Sequence, residues 1–261
     1  MAEYEKEKWD QAAGDYQKVF RLGLNDYNAS LLRFWKENGM LRPGDRVLDI
    51  GCGVGKYGTY LAEMGMDVTL TGISEEMIRH AEKNMSRDTT PWAVYCGDFR
   101  EITGEEPAFS RGFDLTISTM SPAVQDVETV RKISRMTRRW CFLTRFIRWE
   151  QPLRDRLMRA MEMEPRPAFD DLQGEYDTLM QAIREAGQEP RLRQVDYNWS
   201  DRRTPAEMAD YLRFNYATEE DPEDFHARAL AAAERLADAD GTVLDEVRTK
   251  VSWIYWRTEG G

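Results

Sequence analysis

The stretch VLDIGCGVGKYG runs from Val47 to Gly58. A short apolar run carries one acid, Asp49, and then breaks into four glycines within eight residues, Gly51 to Gly58. An apolar run of this length, bounded by a turn at Arg42-Pro43-Gly44-Asp45, reads as a buried strand. The glycines let a backbone and a ligand approach closely. A loop of this kind cradles a nucleotide-like cofactor, and GVGKYG also fits the dinucleotide pattern G-x-G-x-x-G.

Outward from this loop the chain alternates. Lys56–Met64 suits a helix stopped by Gly65, and Val68–Ile73 suits a strand. Ser74–Asn84 suits a helix, with Ser74 as N-cap and Glu75 and Glu76 in a first turn where the helix dipole favours acids. Trp92–Cys96, Phe113–Met120 and Trp140–Ile147 read as further strands, and Ser121-Pro122 as the cap and first turn of a helix running to about Met136. Strands alternating with helices predict an α/β fold with a doubly wound, mostly parallel sheet. Upstream, Trp9, Ala13, Tyr16 and Phe20 share one helix face, and Tyr27, Leu31, Phe34 and Trp35 another.

Downstream the pattern is less regular. Residues 150–171 hold charge and three prolines and suggest no element. Tyr176–Ala186 reads as a helix, Leu192–Trp199 as a strand, Thr204–Phe214 and Asp224–Ala237 as helices separated by the acidic run TEEDPED, and Lys250–Trp256 as a strong final strand. The predicted sheet therefore has seven strands. The long segment between the last two strands predicts a helical insertion at about 201–245, of the kind that forms substrate lids. The expected organisation is one domain over 1–261: N-terminal helices over 1–40, a cofactor-binding core over 41–148, and a substrate-side half over 149–261.

Composition narrows the function. The 261 residues hold 36 Lys and Arg against 47 Asp and Glu, a net charge of -11. Such a protein has no general attraction to phosphate backbones or anionic lipid, so neither a nucleic-acid nor a membrane partner is expected. No apolar run approaches the roughly 20 residues that span a bilayer, and the charged N-terminus lacks a signal-peptide core. The expected location is cytoplasmic. Cys52, Cys96 and Cys141 are too few and too widely spaced for a disulfide framework or a zinc site, and no metal signature is present.

Asp49 discriminates among cofactors. A carboxylate at the end of the first strand is awkward beside a pyrophosphate, which counts against NAD or FAD. It suits a cofactor carrying an ammonium group, such as the methionine part of S-adenosyl-L-methionine (SAM). The chain here resembles class I SAM-dependent methyltransferases acting on small molecules, of the type 11/25-like group. VLDIGCGVGKYG is similar to the first motif of that family. WDQAAGDY (Trp9–Tyr16) is similar to its entry helix, which closes over the cofactor. GISEEMIRHAEKN (Gly72–Asn84), YCGDF (Tyr95–Phe99) and FDLTISTMSPA (Phe113–Ala123) follow in the family's order.

The resemblance covers roughly residues 5–148 and implies a Rossmann-like fold with a helical lid. It implies SAM as cofactor, S-adenosyl-L-homocysteine (SAH) as product, and a cofactor site of Tyr16, Asp49, Gly51, Gly53, Gly55, Gly72, Ile73, Ser74, Met77, Asp98, Phe99 and Ser118. Asp98 would meet the adenine amino group. One departure stands out: the family's ribose-gripping acid is replaced by Gly72. Either Ser74 or Glu75 takes over, or backbone and water hold the ribose.

Methyl transfer from a sulfonium needs alignment and a dry cavity more than it needs a base. The candidates for contact with the reacting groups are Ser121, His226 and Arg145, the last as a clamp for a substrate carboxylate or phosphate. His80 and the run Arg131, Lys132, Arg135, Arg138 and Arg139 read mainly as solvated surface, while Arg148, just past the fifth strand, shares the reading of Arg145 as a clamp for a carboxylate or phosphate. Trp149, Tyr197, Trp199, Tyr211, Phe214 and Tyr216 read as core, with an aromatic acceptor pocket as the alternative. SPA at 121–123 lacks the N-P-P-[YF] pattern of amide and adenine methylators. The expected activity is methylation of a small-molecule acceptor. The alternative is a SAM-binding sensor or partner subunit without methyl transfer.

Overall fold

The structure is a computed structural model that describes residues 2–21, 23–86, 90–106, 109, 112–167, 171–217 and 221–258. Part of the acidic run, 218–220, lies outside the described residues. The chain divides into two compact units. Unit 1 holds Met1–Arg145, Glu175–Arg193 and Ser252–Gly261; unit 2 holds Phe146–Gly174 and Gln194–Val251.

In unit 1, α1 (Ala2–Arg21) and α2 (Asp26–Glu37) precede the alternating core. The core is β1 (Arg46–Ile50), α3 (Lys56–Glu63), β2 (Asp67–Gly72), α4 (Glu75–Met85), β3 (Trp92–Cys96), a 3-10 turn at Phe99–Glu101, β4 (Phe113–Thr119), α5 (Val127–Met136) and β5 (Thr137–Glu150). Later come α6 (Pro152–Ala160), α7 (Leu172–Glu185), β6 (Arg191–Asp196), β7 (Trp199–Arg203), α8 (Pro205–Tyr216), α9 (Pro222–Leu236) and β8 (Val243–Arg257). The strand order is β3-β2-β1-β4-β5-β8-β6, with β7 paired to β8. Pairs β1–β2, β1–β4, β2–β3 and β4–β5 are parallel. The α/β, Rossmann-like fold is thus the one the alternation predicts, with eight strands in place of seven.

The order also fixes the site. From β1 the chain moves outward to β2 and β3, then returns to β4 on the other side of β1. Ligands in such sheets bind beyond the carboxyl ends of the strands at this reversal. Alternating β1 side chains anchor the two layers. Leu48 and Ile50 join a buried cluster with Phe99, Ile133, Leu143, Ile183 and Trp256. Elsewhere in unit 1, α2 supplies Phe34 and Trp35, which meet Phe142 at 6.0 and 5.3 Å between ring centroids.

Three local expectations are corrected. The segment Ser121-Pro122 does not open a helix. Asp126 is the N-cap of α5, in a reciprocal box with Thr129, because Met120 turns into the left-handed region (φ 54) and commits Ser121 to a tight turn. Residues 150–171 contain α6, whose Pro152 sits in the first turn where its missing N–H costs nothing. The strand expected at Leu192–Trp199 breaks at Tyr197-Asn198, where Asn198 Oδ1 accepts from Thr249 N at 2.9 Å.

Unit 2 has its own core of Leu157, Met158, Met208, Leu212, Phe225, Ala229 and Ala233, drawn from α6, α8 and α9. Here β7 pairs antiparallel with the first half of β8. The sequence reading started that strand at Lys250, because Val243–Thr249 (VLDEVRT) mixes apolar, acidic and basic residues with no period-2 pattern. The helical insertion expected at about 201–245 corresponds to α8 and α9 with part of the β7–β8 ribbon. The second unit is larger than that insertion.

Candidate active site

A cleft opens in unit 1 at the reversal of strand order. Its wall is made of Gly51 and Gly53 after β1, Thr71–Ser74 at the end of β2, Met77 on α4, Gly97–Arg100 after β3 and Thr119–Ala123 with Gln125 after β4. Trp9 and Tyr16 from α1 complete it. The atom-free space is about 970 Å³, open solvent included.

Each wall segment has a local cause. Gly51 carries φ 71, and a Cβ there would stand 2.0 Å from Ser121 Oγ. Glycine is therefore required twice over, by conformation and by contact. Ser74 caps α4 by accepting from Met77 N at 3.1 Å, while donating to Asp10 Oδ1 at 2.5 Å. Asp10 Oδ1 also accepts from Glu76 N at 3.1 Å. Gln17 and Asn84 exchange side-chain amide bonds of 3.0 and 2.9 Å. These contacts latch α1 onto α4 and bring Trp9 and Tyr16 over the cleft, their rings edge to face at 6.1 Å.

On the β3 side, Asp98 accepts from Arg100 N and Nε, both at 2.9 Å. The Arg100 guanidinium holds its carboxyl below the usual carboxylate range. On the β4 side, Met120 N donates to Thr144 Oγ1 at 2.9 Å, and Ala123 N to Ser121 Oγ at 3.3 Å. Arg145 sits behind this wall, donating to the carbonyls of Val124 (2.6 Å) and Thr144 (2.8 Å). Burial lowers its guanidinium to about 10.

The structure brings Tyr16, Gly51, Gly53, Gly72, Ile73, Ser74, Met77, Asp98, Phe99 and Ser121 into the wall of one cleft. Asp49, Gly55 and Ser118 do not line it. Asp49 is wholly buried at the end of β1, and neither carboxylate oxygen has a hydrogen-bond partner among the described residues. Burial pushes its carboxyl up to about 7. The hydroxyls of Thr71 and Ser118 are likewise buried without a partner. His226 belongs to α9 in unit 2, 3.3 Å from Asp210. Of the two proposed stand-ins at Gly72, Ser74 lines the cleft, while Glu75 turns out to meet Lys6 at 2.5 Å.

Sequence reasoning missed Thr71, Arg100, Thr119, Met120 and Gln125 as wall residues. Arg100 left a faint signal, a cation two residues from an acid at a strand end; Thr119 and Met120 lie within the quoted FDLTISTMSPA stretch without being singled out, and Thr71 and Gln125 left none. The late aromatics fall into separate groups. Within unit 2, Trp149 packs against Trp199 at 5.2 Å, and Tyr197 against Trp199 at 4.9 Å. Tyr216 joins the helical core.

A parallel sheet with a cleft at the β1/β4 reversal, built from a glycine loop and the ends of β2, β3 and β4, defines the class I SAM-dependent methyltransferase fold. Residues 47–140 match the family model described as a methyltransferase domain. Over 75 residues the chain is 39% identical to YqeM of Bacillus subtilis (strain 168), named as a candidate methyltransferase, covering 29% of this chain and 30% of YqeM. Over 126 residues it is 29% identical to ribosomal RNA large subunit methyltransferase E of Desulfatibacillum aliphaticivorans, covering 48% of this chain and 54% of that protein. The chain thus spans between about a third and a half of the length of these curated relatives. Magnesium protoporphyrin IX methyltransferase (ChlM) from Synechocystis PCC 6803, solved with bound SAH, aligns over 97% of this chain and 98% of its own, with a TM-score of 0.53 and 14% identity. That likeness is one of fold.

Proposed function

We propose that this chain transfers the methyl group of SAM to a small-molecule acceptor. The observation that carries the reading is the cleft itself, set at the strand reversal of a segment that matches methyltransferase domains. Its residues fit the cofactor. Gly51 and Gly53 present bare backbone, the Thr71 hydroxyl in the wall lacks a partner, and Asp98 offers a carboxylate to an amino group. Asp49, buried and unpaired behind the loop, is suited to a cationic ammonium reached directly or through water. Bound SAM supplies an electrophilic methyl on a sulfonium for in-line displacement.

The chain's own part is positional. Gly97–Arg100 and Thr71–Met77 hold the nucleoside end, Trp9 and Tyr16 exclude water, and Thr119–Gln125 form the wall beside the acceptor.

Two features favour a small acceptor. The net charge is -11, and much of the basic run is spent on internal partners. Lys132 serves the carbonyls of Phe99 and Arg100, Arg131 the carbonyl of Glu185, and Arg139 the carboxylates of Asp45 and Asp114. The name of the ribosomal RNA relative supports a second reading, an RNA acceptor. Methyl-labelled SAM incubated with the protein and either a small-molecule cell fraction or ribosomal RNA separates the two. Label in the small-molecule fraction is expected. Label in RNA alone overturns the acceptor class, and SAH binding without label in either fraction favours the sensor reading.

A further inference from the structure

The basic run after β4 contains one residue with a distinct job. Lys132 leaves α5 with its ammonium at 3.1 Å from the carbonyl oxygen of Phe99 and 2.8 Å from that of Arg100. It also lies 5.2 Å from the centre of the Phe99 ring. These are the carbonyls of the 3-10 turn whose residues Phe99 and Arg100 form the β3 side of the cleft. The turn is short and its own bonds are few: Glu101 N to Asp98 O at 3.0 Å and Ile102 N to Phe99 O at 3.3 Å. Asp98 caps its N-terminal end by accepting from Arg100 N. A cation at the carbonyl end of a helical turn is the electrostatically matched partner to an acid at the amide end. Lys132 also helps to hold the Asp98 carboxyl low, behind the nearer Arg100.

We infer that Lys132 is a positioning residue for the nucleoside end of the cofactor. It does not line the cleft. It fixes the backbone of Gly97–Arg100 so that Asp98 and Phe99 meet the base in one geometry. Two charge-assisted hydrogen bonds and a cation–ring contact converge on two consecutive residues of the wall, Phe99 and Arg100. A solvated surface lysine would make none of these contacts. The inference rests on the reading of the cleft as a SAM site, with the base against Gly97–Arg100.

The test compares Lys132→Met, Lys132→Arg and Arg135→Met, the last removing an equal charge at an exposed position on the same helix. SAH and adenosine are titrated calorimetrically into each, and amide hydrogen exchange is followed in the free proteins. Lys132→Met is expected to weaken both ligands about tenfold, as the loss of charge-assisted bonds to the wall implies. The Glu101 and Ile102 amides should exchange faster while the thermal midpoint holds. Lys132→Arg should restore most of the affinity, since its fork reaches the same carbonyls, and Arg135→Met should behave as wild type. Unchanged SAH and adenosine affinity in Lys132→Met, or an equal loss in Arg135→Met, overturns the inference. Failure of the wild type to bind SAH overturns the SAM reading instead, and the exchange of Glu101 and Ile102 still judges the clamp.

Discussion

Asp49 should make the free protein less stable as pH rises from about 4 to about 7. Its carboxyl is wholly buried with no hydrogen bond to either oxygen among the described residues, and burial raises it to about 7. In the unfolded chain an aspartate titrates near 3.9, roughly. Between about pH 4 and 7 the folded state therefore keeps a proton that the unfolded state has released. A raised carboxyl costs nothing below the unfolded value. Its penalty grows across the window and levels off above the folded value. Three units at about 1.4 kcal/mol each give about 4 kcal/mol. Asp49→Asn keeps the shape and removes the titration. Urea denaturation of both proteins should show the variant's stability, relative to wild type, rising by about 4 kcal/mol from pH 4 to pH 8. Saturating SAM should shrink the wild type's loss of stability with pH, because an ammonium near Asp49 favours the ionised form. Parallel pH profiles for the two free proteins would refute the reasoning.

Other perturbations probe the walls. Gly51→Ala places a Cβ 2.0 Å from Ser121 Oγ at φ 71, so it should cost about 2 kcal/mol or more and abolish SAH binding; the added change Ser121→Gly should recover part of the stability. Met120→Gly relieves a left-handed residue (φ 54) in the cleft wall and should raise stability by about 1 kcal/mol by thermal melting; a lower midpoint would argue against strain there. Asp10→Ala removes the acceptor shared by Ser74 and Glu76 N. It should speed amide exchange in α1, cost about 1 kcal/mol, and weaken SAH. Unchanged exchange in α1 would show that the latch lies elsewhere.

The core was legible because its signals are local. Gly51, Gly53 and Gly55 all adopt positive φ after β1, and Ser74 with Glu75 and Glu76 marks the start of α4 where the structure has it. The failures have tertiary causes. Ser121-Pro122 carries good helix-start chemistry, yet Ser121 packs against Gly51, and the helix waits for the Asp126–Thr129 box. The irregular, charged stretch Val243–Thr249 is a strand because β7 lies beside it.

The site divides in the same way. Ten of the expected residues share the cleft, because loops at consecutive strand ends converge wherever the order reverses. Asp49 and Ser118 fall behind the wall, since strand residues just short of the ends point into the layers. Lys132 looked like surface because its partners are backbone carbonyls, which no sequence pattern marks.

The most direct test is calorimetric titration of the purified protein with SAM, SAH and NAD in parallel. The account predicts that SAM and SAH bind at one site per chain and that NAD does not. Binding of NAD, or of neither sulfur compound, would contradict the assignment of the glycine loop and of the cleft it helps to form.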